Sequence, residues 1–159
     1  MMTTSRTPEG GRHRATQSAT RGACRLLRAH DWSFATEMRL PNGRRADIVA
    51  MSAKGRLLIV EVKSCAADIT ADLKWAEYRE FCDQLYFAVP PEGPTHLIDE
   101  DVGLIVADSY EAAFIRHPRE TSLAPPRRRS MLIAFARHAA DRLQSTLDPD
   151  LRKNFGQPD

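Results

Sequence analysis

The pattern of apolar and polar positions changes its period several times along the chain, and these changes mark the predicted elements. The most apolar stretch, residues 57–60, has no polar position on either face, which is typical of a strand covered on both sides. Turn residues of the Pro-Asn-Gly and Lys-Gly type separate it from two preceding strand-like runs. The pattern therefore predicts a three-stranded meander with strands at Ser33–Leu40, Arg44–Met51 and Arg56–Lys63.

Helical spacing of apolar residues and further short apolar runs surround this meander. The predicted helices are Thr20–Ala29, Ala71–Phe81 with Thr70 as its N-cap, and Pro126–Leu147. The remaining predicted strands are Leu85–Val89 and Leu104–Ala107, with a short strand or turn at Ala113–His117. Strands mixed with helices, around one strand that is apolar on both faces, predict an α/β fold with a central sheet flanked by helices.

The length of 159 residues fits one domain, and 42% apolar with 28% charged residues is ordinary for a soluble globular protein. We expect a disordered basic tail at residues 1–19, a domain at 20–148 and a flexible tail at 149–159. Without an apolar run of about 18 residues we expect no membrane span and, by default, a cytoplasmic location. Three cysteines without CxxC spacing argue against a disulfide framework or structural zinc.

Charge is distributed unevenly along the chain. Residues 1–30 have a net charge of +5, residues 31–115 of −7 and residues 116–159 of +4, within a total of +2. An acidic centre between basic ends suits a metal site flanked by surfaces that contact a polyanion. Solvated charge without any partner explains the same counts equally well.

The two hairpins place acidic residues in one row across the meander. Opposed residues of an antiparallel hairpin share a face, and their numbers have a constant sum. A first turn centred on Asn42 sets Glu37 opposite Asp47, and a second turn centred on Lys54 sets Asp47 opposite Glu61. Lys63, two residues beyond Glu61, projects from the same face.

Carboxylates at this spacing repel one another unless a positive group lies among them. Oxygen ligands suit a hard cation, Mg²⁺ or Mn²⁺, and such a cation can activate water and polarise a phosphoryl oxygen. Lys63 beside it would position the water or stabilise charge on the phosphate. The alternative is an exposed charge ladder neutralised by Arg39, Arg45 and Lys63.

A run of three arginines, Arg127, Arg128 and Arg129, follows two prolines at the start of the last predicted helix. Cations there oppose the helix dipole, so the run is a candidate contact for DNA phosphates, as are Arg44 and Arg45 beside the acidic row. A solvated arginine run explains the three residues as well.

Longer stretches of the chain resemble a known family. Asp47 followed by Glu61-Val62-Lys63 is similar to the D…(E)xK signature of the restriction-endonuclease-like, or PD-(D/E)XK, nuclease superfamily. Around it, the stretches GRRAD (43–47), IVEVKS (59–64), DLKWAEY (72–78) and FCDQLYFAV (81–89) resemble the MmcB family of bacterial DNA-repair proteins. The resemblance spans roughly residues 20–145 and implies an αβββαβ nuclease core and a role in repair.

The resemblance also implies roles for single residues. Asp47 and Glu61 match the metal-binding acids, with the Val62 carbonyl as third ligand, and Lys63 matches the catalytic lysine. Glu37 matches the additional acid that many members place before the hairpin. Lys74 and Tyr78 resemble a pair that some superfamily nucleases present to the substrate, although packing of a lysine stem on a tyrosine ring explains their spacing equally well.

These observations predict a Mg²⁺- or Mn²⁺-dependent DNA nuclease, an endonuclease or processing nuclease acting in repair. One alternative is a catalytically silent module that binds a DNA structure or a protein, and another is an RNA nuclease on the same core. DNA is the expected partner, and its recognition is expected to be structure-directed or nonspecific because the sequence has no helix-turn-helix or zinc finger. A homodimer is plausible because cutting two strands needs two sites.

Overall fold

The computed structural model describes residues 8–71 and 75–153. Four α-helices and six strands occur in these ranges, with short 3₁₀ helices at Thr95–Leu97 and Pro149–Lys153. The α-helices are α1 (Pro8–Ala29), α2 (Ala66–Ala71), α3 (Ala76–Arg79) and α4 (Pro125–Leu147). The strands are β1 (Ser33–Arg39), β2 (Arg45–Met51), β3 (Leu57–Val62), β4 (Gln84–Val89), β5 (Gly103–Ala107) and β6 (Ala112–Arg116).

The six strands form one mixed sheet in the order β1-β2-β3-β4-β5-β6. The meander β1–β2–β3 is antiparallel, the pairs β3–β4 and β4–β5 are parallel, and β6 returns antiparallel to β5. Both predicted hairpin registers are confirmed, since Ile48 pairs with Thr36 on one side and with Val60 on the other. The two hairpin turns contain Gly43 (φ 85°) and Gly55 (φ 74°), which adopt a conformation that L-residues rarely tolerate.

Two hydrophobic cores lie on the two faces of the sheet. All six residues of β3 are buried, which confirms the prediction of a strand covered on both sides. Even-numbered residues such as Leu58 and Val60 pack with α1, and odd-numbered ones such as Ile59 pack with α4, which contributes Met131 and Phe135. The architecture is therefore the predicted α/β sheet flanked by helices.

The first helix begins at Pro8, so residues 8–19 are not the disordered tail that the sequence predicts. Ala19 and Ala23 are fully buried against the sheet, together with Leu27. Much of the buried side of α1 is alanine, so the apolar periodicity of the sequence is weak there. Arginines dominate the composition of this segment, which is why it resembles a disordered tail. Residues 1–7 lie outside the described residues.

The segment after β3 also differs from the prediction. A helix already begins at Ala66, and Thr70 lies inside it rather than at its N-cap, with its hydroxyl donating to the Ala66 carbonyl. Asp68 organises the start instead, since its carboxylate accepts hydrogen bonds from the Ser64 and Cys65 amides. The pKa of Asp68 lies below its ordinary value, because these bonds and the Ser64 hydroxyl outweigh the effect of burial.

The last helix and the segment that follows it agree with the sequence predictions in part. The helix predicted from Pro126 is present, and a 3₁₀ helix at Pro149–Lys153 follows it, so the predicted flexible tail at 149–159 begins with an ordered turn. Residues 154–159 lie outside the described residues. In the described part of the chain, no helix has the length and apolarity needed to span a bilayer.

Candidate functional site

Asp47 and Glu61 lie where the ladder between β2 and β3 ends. The pair of Ile48 and Val60 ends the ladder here, and beyond it the backbone amides bond to carboxylate side chains instead of to the opposite strand. The Asp47 amide donates to Oε1 of Glu61 at 3.1 Å, and the Val62 amide donates to Oδ2 of Asp47 at 2.8 Å. The two acids are therefore held side by side by each other's strand, through a reciprocal exchange of hydrogen bonds.

This exchange brings negative charge into a largely buried place. Glu61 is only 4% exposed, and Asp47 is half-buried. Burial raises the pKa of the Asp47 carboxyl and the charge of Glu37 raises it further, while the Val62 amide, Lys63 and Arg45 offset part of this shift. Two carboxylates at such a position favour any cation that approaches them.

Lys63 completes the cluster from the end of β3. Its Nζ lies 4.0 Å from Oε2 of Glu61 and 5.4 Å from the ring centroid of Phe87. The Lys63 amide donates to the Ala88 carbonyl at 2.9 Å, so β4 fixes the backbone that carries the side chain. Phe87 was not identified from the sequence, although it pairs with Glu61 in the parallel register and could be inferred once β4 is assigned.

Glu37 lies near the pair without joining it. Its backbone is left-handed (φ 56°), which interrupts the regular pairing of β1 with β2 between Thr36 and Met38. Its carboxylate is ion-paired with Nε of Arg45 at 2.6 Å. Within the described residues no group of three His, Cys, Asp or Glu side chains converges on one point. The predicted row of three acids is therefore a pair, with Glu37 beside it.

The donor set of the pair fits a hard divalent cation. Each carboxylate uses one oxygen in the exchange of hydrogen bonds, and carboxylate oxygens are the ligands that Mg²⁺ and Mn²⁺ prefer. Mg²⁺ is commonly held by only one or two carboxylates, with waters and substrate phosphates filling its other positions. Asp47 and Glu61 are thus the residues that could hold the ion, and the Val62 carbonyl stays a prediction as its third ligand.

The residues predicted to contact substrate have different surroundings. Tyr78 is 7% exposed and packs in the core, with the Arg44 guanidinium 5.9 Å from its ring centroid, so it is not presented at the surface. Arg44 is also ion-paired with Glu77 of α3. Arg45 is engaged by Glu37, and Lys74 lies outside the described residues.

The arginine run lies at the other end of β3 and is largely structural. Arg128 forms two hydrogen bonds with the buried carboxylate of Asp83, at 2.8 and 2.7 Å, and a third with the Gly55 carbonyl. Arg127 stacks on Phe81 and lies 3.5 Å from Oε2 of Glu80, whereas Arg129 is exposed. Asp83 therefore neutralises Arg128 within the fold, and Arg129 is the exposed member of the run that the sequence predicts to contact DNA phosphates.

Comparison with known proteins identifies a family. The profile of the MmcB-like family, described as DNA repair protein MmcB-like, matches residues 4–150. A solved structure, the SPO1766 protein of unknown function from Silicibacter pomeroyi, has 39% sequence identity and a TM-score of 0.82, and the match covers 91% of this chain and 95% of that one. Among curated proteins, none matches the chain significantly.

Proposed function

The chain belongs to the MmcB-like family of DNA repair proteins, and from that premise we propose that it is a metal-dependent nuclease that hydrolyses phosphodiester bonds of DNA. The observation that carries the proposal is the pair of Asp47 and Glu61, with Lys63 4.0 Å from Glu61. A buried Glu61 and a half-buried Asp47 beside a lysine at the end of a strand supply the oxygen ligands and the positive charge that metal-dependent phosphodiester hydrolysis needs. The same three residues also carry the superfamily signature.

Each residue of the cluster has a distinct role in this proposal. Asp47 and Glu61 would hold Mg²⁺ or Mn²⁺ through their carboxylate oxygens, with the Val62 carbonyl as the predicted third protein ligand. Such an ion would supply Lewis-acid chemistry, which activates water and polarises a phosphoryl oxygen. The Lys63 ammonium stabilises the negative charge that builds on the phosphate. The Phe87 ring lies beside this ammonium, and the Ala88 carbonyl fixes the Lys63 backbone through its amide.

The test is cleavage of labelled linear, branched and single-stranded DNA with Mg²⁺, Mn²⁺ or EDTA. We expect metal-dependent cutting by the wild type and a loss of about 10²-fold or more in rate for Lys63→Ala, since one contact to the transition state is removed. The matched control is Lys54→Ala, the same substitution at an exposed turn before the opposite end of β3. Its rate should equal that of the wild type.

The outcome separates the proposed nuclease from its alternatives. If the wild type and Lys63→Ala bind DNA equally and neither cuts any DNA, the protein is a binding module and the catalytic proposal is wrong. If an RNA of the same sequence is cut and DNA is not, the chemistry holds and the substrate is RNA. Contamination is excluded when Lys54→Ala, purified in the same way, retains the activity that Lys63→Ala loses.

A further inference from the structure

The outer face of α1 is a stripe of exposed arginines. Arg14, Arg21, Arg25 and Arg28 are separated by seven, four and three residues, so they lie on one side of the helix, opposite Ala19, Ala23 and Leu27, which are buried against the sheet. Residues 10–30 contain five arginines and no acid. In the described ranges, none of the four arginines of the stripe forms an ion pair within 4.0 Å, and Arg25 donates to the Ser109 carbonyl at 3.4 Å.

A groove lined by aromatic side chains begins at the C-terminal end of this helix. It has a volume of about 610 Å³, and its lining includes His30, Trp32, Tyr86, Phe114 and His117. The Tyr86 ring is buried and its hydroxyl bonds to Nδ1 of His117 at 2.8 Å, whereas His30 and His117 are exposed. Phe114 contacts three of these rings, at centroid distances between 5.1 and 5.7 Å.

The groove continues along the seam between α1 and β6. A second cavity of about 540 Å³ shares Leu26, Ala112 and Ala113 with the first, and Arg25 and Tyr110 line it. Tyr110 is 81% exposed, an unusual fraction for a large aromatic side chain. Two acids line this cavity: the Asp108 carboxylate accepts hydrogen bonds from the amides of Tyr110 and Glu111, whereas the Glu111 side chain is exposed. The arginine stripe therefore runs beside a continuous, ring-lined groove.

We propose that this groove and the arginine stripe of α1 form a binding surface for single-stranded nucleic acid. Cationic side chains follow a phosphate backbone, and aromatic rings stack on bases whatever the sequence. A duplex keeps its bases stacked inside, so it can use the arginines but not the rings. The surface lies on the face of the sheet opposite Asp47 and Glu61, because α1 covers the even-numbered residues of β3.

From the proposed function this inference takes only the class of polymer, and it is tested without cleavage. The full chain is titrated in EDTA with a fluorescein-labelled oligothymidylate, a duplex of equal length and an oligouridylate. The variants are Arg21→Glu with Arg25→Glu, and His30→Ala. The matched control is Arg137→Glu, which changes the same kind of side chain on the exposed side of α4.

We expect oligothymidylate to bind at least tenfold more tightly than the duplex. The double arginine variant should weaken binding at least tenfold. It should also reduce the slope of log K against log salt concentration by about 1.4, since each lost phosphate contact on a single strand removes about 0.7 from that slope. His30→Ala should weaken single-strand binding about tenfold and leave duplex binding unchanged. Arg137→Glu should change none of these values.

A second readout reports on the rings themselves. The chain has two tryptophans, so Trp75→Phe leaves Trp32 as the only one, and stacking of a base near it should quench its fluorescence. If oligouridylate binds more tightly than oligothymidylate and quenches the fluorescence equally, the proposed binding surface is supported and its ligand is RNA. Three results would overturn the proposal: equal affinity for single strand and duplex, absence of quenching, or equal effects of the double variant and Arg137→Glu. Loss of cleavage in Lys63→Ala with this binding intact shows that the two surfaces act separately.

Discussion

The side chains of Asp47 and Glu61 explain how a repulsive pair can persist in a folded protein. Each carboxylate accepts a backbone amide that the end of the β2–β3 ladder leaves without a strand partner. The pair therefore contributes to folding before any ligand binds. For this reason an alanine scan would confuse loss of structure with loss of chemistry.

Asp47→Asn separates the two effects. The asparagine Oδ1 can still accept the Val62 amide, so we expect the free energy of unfolding in urea to fall by no more than about 1 kcal/mol. Asp47→Ala leaves that amide without its acceptor and should cost about 1–3 kcal/mol. Both variants should lose binding of Mn²⁺ measured by calorimetry, because the ligand charge is gone. Wild-type Mn²⁺ affinity in Asp47→Asn would contradict the assignment of Asp47 as a ligand.

The sequence predicts the positions of these residues better than it predicts their contacts. Turn residues and strand alternation are local, so the opposition of Asp47 and Glu61 could be inferred before the structure was known. The left-handed backbone of Glu37 could not, because most side chains disfavour that conformation. The contacts of Arg142 and His138 with the Thr36 carbonyl, 2.6 and 3.2 Å long, join residues about a hundred positions apart.

At the scale of elements, α1 shows that a stripe of apolar residues does not always predict where a helix begins, since the helix starts at Pro8 and not at Thr20. Its buried side is rich in small residues, and this permits a close approach to the sheet. Gly22 is an example, because a Cβ at this position would overlap the Asp108 carbonyl oxygen. The same helix contains Gly11, and a Cβ added at that position would have no atom within 4 Å.

The two glycines give a matched pair of substitutions within one helix. Gly22→Ala should lower the free energy of unfolding by about 1–3 kcal/mol, since the helix must move away from a backbone atom. Gly11→Ala should raise it by up to about 1 kcal/mol, because alanine has the higher helix propensity and nothing obstructs it. Thermal or urea unfolding measures both. Equal effects of the two substitutions would show that α1 does not pack as described.

For the whole molecule, Asp83 connects distant parts of the chain. Its carboxylate accepts hydrogen bonds from the Leu57 amide of β3, from the Leu123 amide before α4, and from Arg128 within α4. The sequence shows three consecutive arginines there but not which of them is buried beside an acid. Such partners are set by the assembly of sheet and helix, which local patterns do not encode.

This network predicts how stability depends on pH. Burial alone would raise the pKa of Asp83, but the hydrogen bonds from Arg128, Leu57 and Leu123 outweigh it, and the pKa lies below its ordinary value. A depressed pKa means that the stabilisation is complete above the unfolded value of about 3.9 and is lost as the pH falls through the folded value. Unfolding in urea should therefore become easier from about pH 4 downward.

Two variants isolate the contribution of Asp83. Asp83→Asn should be less stable than the wild type at pH 7, since the charged hydrogen bonds with Arg128 are lost, and its stability should change less below pH 4. Asp141→Asn removes an exposed carboxylate from α4 and should follow the wild-type curve. If Asp83→Asn loses stability in acid as steeply as the wild type, other carboxylates dominate the acid transition.

The left-handed Glu37 has one more consequence, for association between copies of the protein. β1 is an edge strand of the sheet, and a regular edge is a template on which another chain can add a strand. Here the backbone turns at Glu37, and the adjacent Thr36 carbonyl is already bonded to Arg142 and His138 of α4. The irregularity beside the acidic pair thus also makes this edge a poor seed for aggregation.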